Sequence, residues 1–248
     1  AVTVVRSETS TGALQPLEEL AAVVADVPGT LLLVDSVTGV GGVPMEADRW
    51  GLDLALTGSQ KALALPPGLA FAVASDAMME RAETVPDRGL YFDLLAFRRK
   101  MDAFQTPNTP AVSLLYALRA QLRAIAEEGV EARWERHRAM AERCREWVGE
   151  MWGGPDGWEV GVLADGSDRS PTVTCITLPD GVSGPAVVDA LRERGFVIGT
   201  GYGKLKETSI RIGHMGDHTV DELDAVLAAL EEALVEVAGP SGTNGGAA

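Results

Sequence analysis

One lysine stands apart from every other charged residue in the chain. Lysine is scarce, occurring only at Lys61, Lys100, Lys204 and Lys206. Between Leu54 and Ser75, Lys61 is the sole charged side chain, preceded by Thr-Gly-Ser-Gln and followed by Ala-Leu-Ala-Leu-Pro-Pro-Gly. A lone ammonium among apolar residues costs free energy. That cost is understandable where the amine is a nucleophile that condenses with a carbonyl. Spacing alone leaves a lysine on an exposed turn between two buried strands equally open. A carboxylate offers a second clue. Asp35 ends the run Leu31-Leu-Leu-Val34, at the edge of a sheet where ligands gather in α/β folds. Alone, it would read as a turn former or helix cap.

Together the two residues are more specific. Pyridoxal phosphate needs an amine for its aldehyde and a carboxylate that keeps its pyridine nitrogen protonated, so that the ring can accept electrons. An aspartate at one strand end and a lysine just past a nearby strand could supply both.

The elements that must position them follow from the hydrophobic pattern. Val2–Val5, Thr30–Val34, Leu52–Leu56 and Ala70–Ala74 read as short strands, and Pro16–Ala25 as a helix. This alternation predicts a largely parallel sheet covered on both faces. Leu114, Leu115, Leu118, Leu122 and Ile125 recur at helical spacing, Gly129 ends that helix, and a second runs over about 130–151. A Gly/Pro/Asp cluster at 153–157 marks a boundary. Beyond it, Thr172–Leu178 and Ser209–Ile212 read as strands and Gly184–Arg194 as a helix. A final helix carries Val220, Leu223, Leu227, Leu230 and Leu234 on one face, with Thr219 and Glu222 as its capping box. The expected organisation is a partial large domain over 1–108, connecting helices over 109–152, a small α+β domain over 153–238 and a disordered tail over 239–248.

Composition narrows the rest. A net charge of −15 on 248 residues argues against a nucleic-acid surface. No apolar run approaches the ~20 residues that span a bilayer. Cys144 and Cys175, the only cysteines, form no disulfide framework and fit a reducing cytoplasm.

Several segments, in order, carry a resemblance. Glu8-Thr-Ser-Thr-Gly12, Val34-Asp-Ser-Val37 with Gly41-Gly42, Gly58-Ser-Gln-Lys-Ala-Leu63 with Pro66-Pro-Gly68, Thr106-Pro-Asn-Thr-Pro110, Pro171-Thr-Val173 and Ile210-Arg-Ile-Gly213 resemble the class V aminotransferases. The similarity is nearest to their alanine–glyoxylate/serine–pyruvate group and reaches to about Val237. It implies a fold type I, pyridoxal 5'-phosphate-dependent enzyme that transfers an amine between alanine or serine and glyoxylate or pyruvate. By that resemblance Lys61 forms the Schiff base and shuttles the proton, Asp35 pairs with the pyridinium nitrogen, and Val37 packs on a ring face. Thr9 would bond the phenolic oxygen and Gln60 the phosphate, while Thr109 would reach the phosphate of a neighbouring subunit, which implies a homodimer. Arg211 would grip the substrate α-carboxylate with its planar fork. In an alternating strand, Ile210 and Ile212 would face the core and Arg211 the other side.

Two departures accompany the match. Arg6 stands where the family often has histidine. The family's N-terminal part, with its phosphate-cradling helix start and ring-stacking aromatic residue, has no counterpart in this chain, and Ser241-Gly-Thr243 lacks a flanking strand or helix. The expectation is a trimmed polypeptide that is inactive alone, drawn from an active parent. Other readings are a phosphoserine-type aminotransferase, a cysteine-desulfurase-like lyase, or an inactive fragment serving as a scaffold. The lyase would need histidine before the cofactor lysine, where Gln60 stands, and a mobile cysteine, whereas Cys144 and Cys175 fall in helix and strand patterns. Elsewhere His214 and His218 read as polar loop residues, Trp50 and Trp134 as core or interface aromatics, and Glu127-Glu128 as a solvated helix face.

Overall fold

The computed structural model describes residues 1–153 and 159–238. The tail at 239–248 and most of the Gly/Pro/Asp cluster lie outside the described residues. In chain order the elements begin with β1 (Val2–Val5), β2 (Ser7–Glu8), β3 (Ala13–Leu14), α1 (Leu17–Ala25), β4 (Leu32–Asp35), β5 (Leu54–Gly58) and β6 (Ala70–Ala74). Helices α2 (Asp76–Glu83), α3 (Leu94–Asp102), α4 (Val112–Glu128) and α5 (Val130–Gly153) follow. The chain continues with β7 (Gly161–Val162), β8 (Val173–Thr177), α6 (Gly184–Glu193), β9 (Gly199–Thr200), β10 (Ser209–Gly213) and α7 (Val220–Ala238).

These elements form two compact units: residues 1–6, 16–40 and 44–127 make the first, and 7–15, 41–43 and 128 onward the second. Helix α4 thus belongs with the first unit and α5 with the second.

The first unit is built on a sheet ordered β1-β4-β5-β6. Strands β1, β4 and β5 run parallel, and β6 pairs antiparallel with β5. Strand alternation turns Leu32 and Val34 to one face, where Leu17 and Ala21, one turn apart on α1, close a core with Leu52 and Ala55. Coverage is one-sided: on the opposite face Val5, in register with Asp35, remains 40% exposed, so the expected second layer is not formed by the described residues.

The second unit is an antiparallel sheet ordered β7-β8-β10-β9. Ile176, Ile210 and Ile212 meet Val187 and Leu191 of α6, Leu227, Leu230 and Leu234 of α7, and Met140, Cys144 and Trp147 of α5. The α7 capping box forms as expected: Thr219 N–H donates to Glu222 Oε2 at 3.0 Å, and Glu222 N–H to Thr219 Oγ1 at 3.3 Å. The β2–β3 hairpin docks on β8 through Gly12, whose φ is +74°. A Cβ there would stand 3.1 Å from both Val173 O and Cys175 N, so no side chain fits.

Two expectations are corrected here. Glu127 is exposed as expected, whereas Glu128 is half-buried and paired. It receives Arg133 and Arg136, each at 2.7 Å, and its carboxyl lies below the usual range chiefly through the Arg136 hydrogen bond. Arg133 also reaches Asp217 at 2.8 Å. His214 is a buried residue, bonded to Thr174 Oγ1 at 2.8 Å and Pro171 O at 3.0 Å. Both groups look polar in sequence, and only the fold supplies their partners.

Candidate active site

In the first unit, Asp35 and Lys61 belong to the carboxyl ends of neighbouring parallel strands. Asp35 closes β4 opposite Leu56 of β5, and Lys61 follows two residues after Ser59, which succeeds the last residue of β5. The Asp35 carboxylate is exposed, and its Oδ1 accepts from Val37 N–H at 3.0 Å. Thr57 Oγ1 donates to Val37 O at 3.4 Å, tying the turn after β4 to β5. A hollow of about 240 Å³ runs along the open sheet face to this strand end, lined by Thr3, Val5, Leu33, Leu54 and Leu56 among others. Asp35 is the only charged residue in the lining.

The loop that carries Lys61 is closed by Ser59. This fully buried serine donates from Oγ to Pro66 O at 2.8 Å and accepts from Leu69 N–H at 3.2 Å. Its backbone N–H bonds to Leu69 O, and its carbonyl accepts from Leu65 N–H, both at 3.0 Å. Lys61 O accepts from Ala64 N–H at 2.8 Å, and Ala64 takes a left-handed φ of 54° to complete the turn. The Lys61 side chain is half-buried and Gln60 exposed. Gln60 folds back over Gly58, where a Cβ would lie 2.7 Å from its Oε1. Ser59 and Thr57 were not singled out in the sequence. A buried hydroxyl next to an apolar strand is the signal that could have found them.

Thr109 lies exposed after α3, in the Thr106–Pro110 segment. Arg6, at the family's histidine position, is buried with its guanidinium 5.7 Å from the Trp50 ring centroid. Burial lowers its pKa, partly offset by Glu19.

The second unit brings Thr9 and Arg211 together. Arg211 sits between buried Ile210 and Ile212 on β10, turned away from the core as alternation requires. Its Nε donates to Thr200 O at 2.8 Å and its Nη1 to Thr9 O at 3.4 Å. Both cysteines are buried, and burial pushes the Cys144 thiol up to about 12 and raises that of Cys175. Neither suits a mobile nucleophile. Among the described residues no cluster of histidine, cysteine and carboxylates could hold a metal ion, and no helix is long and apolar enough to cross a membrane.

The geometry can be set beside known proteins. The chain is 38% identical over 240 residues to an uncharacterised aminotransferase of Methanocaldococcus jannaschii, covering 96% of this chain and 60% of that protein. It is 32% identical over 245 residues to serine–glyoxylate aminotransferase of Methylorubrum extorquens, covering 95% and 59%. The crystal structure of alanine–glyoxylate aminotransferase from Nostoc sp. superposes with a TM-score of 0.85 at 35% identity, covering 94% of this chain and 61% of that one. The chain therefore spans about 60% of the length of these relatives, and its fold is that of the fold type I pyridoxal-phosphate transferases. The family model for class-V aminotransferases matches residues 1–226. This chain belongs to the class V aminotransferase family.

Proposed function

We propose that this chain carries the cofactor lysine and the substrate-binding arginine of a pyridoxal-phosphate-dependent aminotransferase. The reaction would exchange an amine between a small amino acid, alanine or serine, and a small 2-oxo acid, glyoxylate or pyruvate. The observation that carries the reading is the placement of Asp35 and Lys61 on the carboxyl ends of adjacent parallel strands.

The residues present fit the cofactor. Asp35 offers an exposed carboxylate with one oxygen committed to Val37 N–H, leaving the other to face a pyridinium N–H. When bound, pyridoxal phosphate supplies an electron sink for the carbon that loses its proton. Lys61 would hold the aldehyde carbon and, once displaced by substrate, carry that proton from one carbon to the other. Val37 would support one ring face, Thr9 would bond the phenolic oxygen, and Gln60 would contact the phosphate. Arg211 keeps N–H donors beyond those given to Thr200 and Thr9, enough to grip an α-carboxylate in a bidentate fork.

The protein would work as a homodimer in the cytoplasm. Exposed Thr109 would reach the partner's phosphate, and the apolar surface of Leu90, Phe92 and Phe104, exposed by 97%, 80% and 99%, supports such a partner. The names of the relatives favour glyoxylate as acceptor, since serine–glyoxylate and alanine–glyoxylate transfers both appear among them.

Reductive trapping tests the assignment. After incubation with pyridoxal phosphate, borohydride should fix a pyridoxyl group on Lys61, read by peptide mass, and Lys61→Ala should abolish it. A mark spread over Lys100, Lys204 and Lys206 with none on Lys61 would sink the reading.

A further inference from the structure

One edge of the Arg211 guanidinium is pinned against backbone. Nε donates to Thr200 O at 2.8 Å. A Cβ added to Gly199 would stand 3.3 Å from Nη2 and 3.6 Å from Cζ and Nε, a tight contact. The Nε side of the group thus lies along β9, and Gly199 leaves it room. Nη1 gives one bond to Thr9 O at 3.4 Å. The outer edge, between Nη1 and Nη2, keeps N–H donors in the planar pair that matches a carboxylate.

Tyr202 stands over this group, with Arg211 Cζ 5.8 Å from the ring centroid while 69% of the residue stays exposed. Its place is set by a constrained turn. Gly201 N–H bonds to Ser209 O at 2.8 Å, and Leu205 N–H bonds to Tyr202 O at 3.1 Å. A Cβ on Gly201 would overlap Leu205 O and Ser209 Oγ, and Gly203 has a φ of +57°. The turn therefore fixes the backbone from which the ring projects over the guanidinium. An aromatic face within about 6 Å of a guanidinium attracts it electrostatically, and a long arginine side chain otherwise loses rotamer freedom when it binds.

We propose that Tyr202 is a positioning residue for Arg211: its ring keeps the guanidinium against β9 with the Nη1–Nη2 edge outward, preset for the planar carboxylate of a small amino or oxo acid. The proposal rests on the reading of Arg211 as the carboxylate-binding group. Tyr202 would then act on ground-state binding, shifting KM and leaving kcat nearly unchanged.

The ¹⁵N-labelled 248-residue chain provides the test, with pyruvate as the carboxylate probe. The Arg211 Nε–H resonance is assigned by its loss in Arg211→Lys, and the backbone amide spectrum checks that each variant is folded. Tyr202→Leu should move the Arg211 resonance through loss of the ring current and weaken pyruvate about two- to five-fold. Tyr202→Phe should preserve both, because the ring and not the hydroxyl does the holding. Gly199→Ala should weaken pyruvate with Tyr202 intact. An unchanged resonance and affinity in Tyr202→Leu, or Phe as damaging as Leu, would overturn the proposal. A chain of unaltered sequence whose Arg211 resonance ignores pyruvate would instead refute the carboxylate reading, and the proposal with it.

Discussion

Ser59 illustrates how a buried hydroxyl can set the loop that carries the proposed cofactor lysine. Its side chain closes the loop around Lys61 with one bond given and one received, in a fully buried position. Ser59→Ala leaves Pro66 O and Leu69 N–H without that partner, a loss of about 0.5–1.5 kcal/mol per bond for these part-buried contacts. The expected result is a lower denaturation midpoint together with slower pyridoxyl trapping at Lys61; stability lost with trapping unchanged would separate the loop from the amine. His214 makes a different prediction. Burial, with Arg145 adding repulsion, takes its pKa from 6.5 down to about 4, so the folded chain resists the proton that the unfolded chain accepts. Stability from the neutral ring is complete above 6.5, the unfolded value, and is lost as pH falls from there towards 4. Thermal melting across that range should show a steep fall that flattens in His214→Gln, and equal slopes in both proteins would refute it. Of the proposed site, Lys61 is marked in the sequence by its isolation and Asp35 by its place after an apolar run. Thr9, Gln60 and Thr109 carried no signal beyond family resemblance. The Ser59 and Thr57 hydroxyls gain their meaning from partners that no spacing announces.

At the level of elements, long and strongly periodic segments were the most legible. The α4–α5 break fell at Gly129 because its φ of +87° suits glycine, and both helices were anticipated on either side. Helix α7 was foreseen together with its cap. Thr219→Ala removes one arm of that box and should cost about 1 kcal/mol, measured by urea unfolding; a change confined to helix fraying, with no shift in midpoint, would show that the cap is not coupled to the core. Less was legible where apolar pattern was weak. Helices α2 and α3 bury no residue and so show no core stripe, although Ser75 and Asp93 cap them through Met78 N–H and Leu95 N–H. The two-residue strands β2, β3, β7 and β9 are too short for alternation to register and exist through their partners. The sheet was expected to be largely parallel, and β1, β4 and β5 are. The antiparallel direction of β6 depends on the path of the Lys61 loop, which composition does not encode.

For the whole molecule, the segment between α2 and α4 exposes a run of large apolar side chains, Leu90, Phe92, Met101 and Phe104 among them. Tyr91 and Phe92 stack edge to face with centroids 4.9 Å apart while both remain exposed, and Met101 and Phe104 follow on the next turns of chain. Burial of such side chains is worth about 25 cal/mol per Å², and the homodimer proposed above would draw on it. Sedimentation should show a dimer that Leu90→Glu with Phe104→Asp converts to monomer; a monomer at every concentration in the unaltered chain would remove the homodimer from the proposal.

The division of the chain also limits how it can be cut. Its path passes from one unit to the other at residues 6–7, 15–16, 40–41, 43–44 and 127–128. A polypeptide starting at Glu128 would forfeit the hairpin whose Ser7 hydroxyl meets that of Ser170 at 2.7 Å and whose Gly12 carbonyl receives Ser170 N–H at 2.7 Å. The C-terminal half is therefore stitched to its own first pages: a polypeptide starting at Glu128 should not fold as a self-sufficient module, and protease nicking at the helix junction should leave two pieces that stay associated until denatured.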